Sequence, residues 1–189
     1  MVDKKRIKDY LIENIGESRY LHSIRVKETA EKLAEIYNCD QEKASIAGLL
    51  HDCGKLKDES HLLKMCYEFG IILNGEFEGN SSLLHGALGA EIAKRVFSIE
   101  DEDILSSIKY HTTGKQNMTI LEKIIYIADY IEPKRSFPGI DDIRNLAFRD
   151  LDATLLKIMD NTIKYIIDNG WIIHCDTINA RNYLVSKKK

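Results

Sequence analysis

Proline is scarce: the 189 residues hold only Pro133 and Pro138. Glycine numbers 11. So few backbone breakers exclude collagen-like, proline-rich and low-complexity chains, and they favour helices. No CxxC is present. Cys39, Cys53, Cys66 and Cys175 stand far apart, which argues against a zinc knuckle or a dithiol redox motif. Four scattered thiols suit a reducing compartment, so a cytoplasmic location is expected. No apolar run approaches the about 20 residues of a membrane span. Met1 to Arg6 leads into an amphipathic segment rather than an apolar signal sequence. Positive charge is not in excess either: Lys and Arg total 27 against 30 Asp and Glu, a net charge of -3. Nothing here neutralises a nucleic-acid backbone. Neither a membrane nor a nucleic acid is expected as a partner.

What the chain does have is an ordinary globular composition, 44% hydrophobic and 30% charged. Its length suits one domain, 1–189, with a core of about 18–170 and a tail from 171. No internal repeat or linker interrupts it. Almost every segment reads at helical period. The first helix spans 3–15, with Ile7, Tyr10, Leu11 and Ile15 inward. Ser18 is positioned to cap a long helix through Tyr37, with Val26, Ala30 and Leu33 on one stripe. Asp40 is positioned to cap a third, Gln41 to Asp52, stopped near Gly54. A fourth runs from Leu62 to Phe69, ended by Gly70, and 70–80 reads as a loop. Further helices follow at about 82–97, 101–111, 119–132 and 141–167, with both prolines in the loop between the last two. Lys187 to Lys189 read as a frayed end. The expected fold is an all-α bundle.

The histidines carry the chemistry. His22 lies on the apolar stripe of its helix, four residues before Val26. His51 follows the small-residue face of Ala44, Ala47 and Gly48. His85 precedes Leu88, Ile92 and Val96, and His111 follows Ile104 and Ile108. Four helices thus each aim one imidazole inward. Asp52 adjoins His51, and Asp129 sits in the apolar run Ile124 to Ile131, where a carboxylate is costly to bury unless paired. Four inward imidazoles and two carboxylates on separate helices are what a metal site in a bundle core requires. Such donors favour iron, manganese, zinc or another first-row metal over calcium. His61, at a helix start, and His174, in the tail, read as ordinary histidines.

The order His22, His51-Asp52, His85, His111, Asp129 resembles the HD superfamily of metal-dependent phosphohydrolases. His51-Asp52-Cys53-Gly54-Lys55 is similar to its HDxxK-type signature. A narrower likeness is carried by Tyr110-His111-Thr112-Thr113-Gly114 and Met118 to Lys123, then by Ile127 to Pro133 and Arg135 to Gly139. Together these resemble the bacterial YqeK family, which hydrolyses diadenosine tetraphosphate symmetrically to two ADP. The likeness runs from about 18 to 185. That family often has alanine where Gly54 stands and proline near Leu88.

The resemblance implies two divalent ions, iron foremost, with manganese or another first-row metal able to substitute. His22, His51, Asp52 and Asp129 would hold one. Asp52 would bridge to the second, held also by His85 and His111. Asp52 and Lys55 are then the expected catalytic residues. Lys55, Arg135, Arg25 and Thr112 are the candidate phosphate contacts, since phosphate needs neutralising charge and hydrogen-bond donors beyond the metals. Tyr126, Tyr130 and Phe137 are available to stack on a base, although helical spacing places the first two in the core. The resemblance also suggests a homodimer. The alternatives are another HD nucleotidase or phosphodiesterase, or a two-iron HD oxygenase.

Overall fold

A computed structural model describes residues 4–71 and 83–187. Among them there are ten helices and no strand: α1 (Lys4–Asn14), α2 (Glu17–Ile36), α3 (Gln41–Leu50), α4 (Glu59–Glu68), α5 (Leu84–Phe97), α6 (Glu102–Tyr110), α7 (Ile120–Ile131), α8 (Ile140–Ala147), α9 (Leu151–Asp168) and α10 (Cys175–Lys187). The all-α expectation holds.

The centre is α7, which packs against α2, α3, α6, α8 and α9. Its start is fixed by a capping box: Thr119 Oγ1 accepts from the Glu122 N–H while Glu122 accepts from the Thr119 N–H. Behind that cap, Leu121, Ile124, Ile125, Ile127, Ala128 and Ile131 are all buried. A helix this apolar on most of its circumference belongs in the middle of a bundle. The stripe of Val26, Ala30 and Leu33 on α2 is wholly buried, as its spacing requires.

Close crossings pull the site together. A Cβ on Gly54 would stand 2.3 Å from the His85 carbonyl oxygen, and one on Gly86 would stand 2.5 Å from that of Lys109. Only glycine lets the turn after α3 touch α5, and lets α5 touch the end of α6.

Several boundaries differ from the sequence expectation. Ser18 is not a cap: α2 starts at Glu17 behind Gly16. Asp40 does cap α3, accepting from the N–H groups of Glu42 and Lys43, but that helix stops at Leu50. Asp58 caps α4, so this helix begins at Glu59 rather than Leu62. The segment 141–167 is two helices. Asp150 accepts from the Ala153 N–H and starts α9 afresh. The apolar stripe Ile143, Ala147, Leu151, Leu155 continues straight through the break, so periodicity could not reveal it. The tail is ordered as α10 through Lys187, not frayed there. Gly70 ends α4 with φ at +72°, while most of the loop expected at 70–80 and the last two lysines lie outside the described residues.

Candidate metal centre

Each ligand candidate sits where a helix ends or faces inward. His22 is on the buried stripe of α2, and Asp129 is in the last turn of α7. His51 and His111 are the C-caps of α3 and α6, and His85 lies in the first turn of α5. The four histidines are at most 8% exposed and Asp52 is 2% exposed. Burying that much polarity in the heart of a bundle requires compensation.

Asp52 stands between two groups of histidines. Its Oδ1 lies 3.3 Å from His85 Nε2 and 3.6 Å from His111 Nε2. Its Oδ2 lies 3.7 Å from His51 Nε2 and 4.0 Å from His22 Nε2. Asp129 Oδ1 joins the second group, 3.0 Å from His22 Nε2 and 3.9 Å from His51 Nε2. The ligand atoms of His22, His51 and Asp129 fall within 4.8 Å of one another, as do those of His51, Asp52 and His111.

The outward ring nitrogens are tied down. His51 Nδ1 lies 2.8 Å from the Gly48 carbonyl oxygen and His111 Nδ1 2.7 Å from that of Ile108. A carbonyl only accepts, so each Nδ1 carries the hydrogen and each Nε2 offers a lone pair to the cluster. His51 Nε2 is buried and has no hydrogen-bond partner among the described residues. An orphaned buried nitrogen aimed at two carboxylates and other imidazoles fits a cation of the first-row type.

The protonation directions follow. Burial pushes His51 down to about 4, outweighing the attraction of Asp52 and Asp129. Burial also lowers His85. For His111 the same burial is overcome by Asp52, and the ring is raised. Burial alone would raise Asp52, but His51, His111 and His85 hold it well below the usual carboxylate range. Asp129 is likewise lowered, against burial, by His22 and His51.

Cations ring the mouth. Arg19 Nη1 donates to Asp52 Oδ2 at 2.7 Å, and Lys55 Nζ lies 4.0 Å from Asp52 Oδ1. Arg135 Nη2 donates to Asp129 Oδ1 at 2.7 Å. Thr112 Oγ1 lies 3.1 Å from His111 Nε2 and 3.3 Å from His85 Nε2. Beside them opens a cleft of about 460 Å³, lined among others by Thr112, Tyr126, Asp129, Tyr130, Arg135 and Phe137. Tyr130 and Phe137 meet edge to face with ring centroids 5.3 Å apart, while Tyr126 is nearly buried.

A family model, the HD domain, matches residues 19–134, and that span contains all six ligand candidates. The chain belongs to the HD domain family. This HD protein is 45% identical to a Staphylococcus aureus protein named "Bis(5'-nucleosyl)-tetraphosphatase, symmetrical", over 90% of this chain and 89% of that one. A Bacillus subtilis protein of the same name is 38% identical, over 92% and 93%. A solved structure from Clostridium acetobutylicum, described as a predicted HD superfamily hydrolase involved in NAD metabolism, superposes with a TM-score of 0.94. It is 52% identical and covers 99% of both chains.

The structure brings the six residues singled out from the sequence, His22, His51, Asp52, His85, His111 and Asp129, to one place, with Lys55, Thr112 and Arg135 at its edge. Arg25 lies one turn from His22, but its Nε donates to Glu132 Oε2 at 2.6 Å. His61 lies exposed on α4, and His174 Nδ1 accepts from the Asp176 N–H at the start of α10. Two contributors were missed. Arg19 precedes His22 by one turn of α2, a spacing that could have flagged it. Glu132 was visible only as the last acid before Pro133.

Proposed function

We propose that this chain hydrolyses diadenosine tetraphosphate symmetrically to two ADP, with two divalent ions held by His22, His51, Asp52, His85, His111 and Asp129. The observation that carries the reading is Asp52, whose two oxygens face two different groups of histidines. A carboxylate so placed suits a bridging ligand, and the relatives' printed activity suits the cationic mouth. Bound ions of this kind supply an ionised water at neutral pH and polarise a phosphoryl oxygen.

The protein's own groups do the rest. Arg135, Lys55 and Thr112 take the polyphosphate oxygens, with charge-assisted bonds from the two cations. Arg25 adds positive charge from the α2 side. Asp52 fixes the spacing of the two ligand sets, and Lys55 neutralises charge next to it. Tyr130 and Phe137 wall the cleft and receive one adenine, the apolar edge-to-face pair offering a flat surface to a base.

Iron is the proposed metal, supported by a donor set of imidazole and carboxylate. The cytoplasm is the proposed location, supported by four unbridged cysteines. A homodimer is proposed on the exposed apolar side chains of Tyr165, Ile167, Trp171 and Ile172, and light scattering on the eluting protein tests it. No described helix is long and apolar enough to cross a membrane.

The deciding experiment incubates metal-replete protein with diadenosine tetraphosphate and separates the nucleotides by ion exchange. ADP as the sole nucleotide product, lost on chelation, is the expected result. ATP with AMP would retain a hydrolase and overturn symmetrical cleavage. No reaction with metal bound would favour another phosphate ester or oxygen chemistry. Asp52→Ala is expected to remain folded and lose at least about 100-fold in activity.

A further inference from the structure

Glu132 takes no part in the site as the sequence presents it, yet it is 3% exposed and fully committed. Pro133 forces the preceding residue into extended backbone, and Glu132 leaves α7 at φ -50° and ψ 151°. Its side chain meets α2. Oε1 lies 3.3 Å from His22 Nδ1. Oε2 accepts from Arg25 Nε at 2.6 Å and from the Lys134 N–H at 2.9 Å. Its carbonyl oxygen accepts from Arg144 Nη2 and from the Arg135 N–H, both at 2.9 Å. Burial alone would raise this carboxyl, but Arg25, the Lys134 N–H and His22 hold it below its ordinary range.

We propose that Glu132, braced by Arg25, is a positioning residue that fixes the orientation and tautomer of His22 for metal binding. The proposal rests on the metal-centre reading above. The reasoning is one of donors and acceptors. Each ring nitrogen of His22 faces a carboxylate, Nδ1 that of Glu132 and Nε2 that of Asp129, and an ionised carboxylate only accepts; with a cation held between Nε2 and Asp129, the hydrogen goes to Nδ1 and on to Glu132. Nε2 is then left bare on the side where Asp129 Oδ1 stands 3.0 Å away and Asp52 Oδ2 4.0 Å away. His51 and His111 obtain the same orientation from backbone carbonyls at Gly48 and Ile108. His22, in mid-helix, has its own helical carbonyls engaged and obtains it from a side chain on another element. Carboxylate partners of this kind set ligand orientation and basicity. The same residue joins His22 to the segment carrying Arg135 and Phe137, so one carboxylate ties the ligand set to the wall of the cleft.

The test strips the protein with chelator and titrates manganese calorimetrically into wild type, Glu132→Gln, His22→Ala and the double variant. Gln places an amide N–H against a donor in either orientation of its head group. The expected result is a loss of about 10–100-fold in affinity for one ion in Glu132→Gln. No further loss is expected when His22 is already alanine, because coupled residues are non-additive. Affinity within about twofold of wild type overturns the proposal. So does an equal loss in the His22→Ala background, which would place the effect elsewhere. If Glu132 merely fastens the 133–139 segment, KM rises and manganese affinity stays. Absence of manganese uptake by the wild type would overturn the metal centre itself, and this proposal with it. Nitrogen-15 spectra of zinc-loaded wild type give a readout that needs no variant. They are expected to show His22 with a hydrogen on Nδ1 and metal on Nε2. Coordination through Nδ1 would overturn the assignment.

Discussion

The side chains of His85 and His111 face each other, Nε2 to Nε2, at 3.0 Å, with Asp52 Oδ1 within 3.6 Å of both. Their helices are brought this near by the glycine contact of Gly86 with the Lys109 carbonyl. Two lone pairs at that separation repel unless a proton or a cation lies between them. Replacing either ring by alanine removes half of that pocket while leaving His22, His51 and Asp129 in place. His85→Ala and His111→Ala are therefore each expected to retain about half the metal of the wild type and to lose activity by at least about 100-fold. Metal analysis after gel filtration checks it, and full metal content in both variants would contradict the assignment.

The Arg135 side chain is 44% exposed, and its guanidinium donates twice to Asp129, from Nη2 to Oδ1 at 2.7 Å and from Nε to the backbone carbonyl at 3.1 Å. In its proposed role, removing it takes a charge-assisted contact from the substrate. One such hydrogen bond contributes about 1.5–3 kcal/mol, so KM for diadenosine tetraphosphate is expected to rise about 10–100-fold in Arg135→Ala. Metal content is expected to stay at the wild-type level. Loss of metal would show that Arg135 acts by holding Asp129 instead.

Gly54 bears on stability. A methyl group there would meet the His85 carbonyl oxygen at 2.3 Å and the Gly89 nitrogen at 2.5 Å, and neither backbone group yields cheaply. Gly54→Ala is expected to cost about 1–3 kcal/mol, the range for overpacking a tight contact. Urea unfolding measures it. A variant as stable as wild type would mean the α3 turn and α5 separate freely.

The four thiols differ in access. Cys175 is exposed, while Cys53 and Cys66 are fully buried. Burial pushes the Cys53 thiol far up, and its Sγ donates to the Gly89 carbonyl oxygen at 3.3 Å. A thiolate is the reactive form, so a disulfide reagent is expected to modify Cys175 first. Cys53 and Cys66 are expected to react only on unfolding. Mass spectrometry of timed samples reads the order, and early labelling of Cys53 would show that the turn beside Asp52 opens in the native protein.

The gathering of four histidines and two aspartates in the core was legible from the sequence because the histidines fall beside aliphatic residues at helical spacing, as His22 does with Val26 and Leu33. Helix existence was legible for the same reason. Boundaries were not, where the stripe outlasts the helix: Ile143 to Leu155 keeps its spacing across two helices, and only the Asp150 cap marks the break. Arg19 and Glu132 escaped notice because their importance lies in partners distant in the chain. Arg19 meets Asp52 across 33 residues and Glu132 meets His22 across 110; the spacing of Arg19 to His22 marks its helix face but does not name that partner.

The six ligand candidates are spread over five stretches of chain, from position 22 on α2 to position 129 on α7. An ion held among them would act as a cross-link between nearly all the elements of the core. The protein's resistance to heat would then report the free metal concentration: saturation at 100 times the dissociation constant is worth about 2.7 kcal/mol to the folded state. For such a molecule a chelator lowers the temperature of unfolding without removing the fold, and a cell that runs short of metal would hold a protein both less active and less durable.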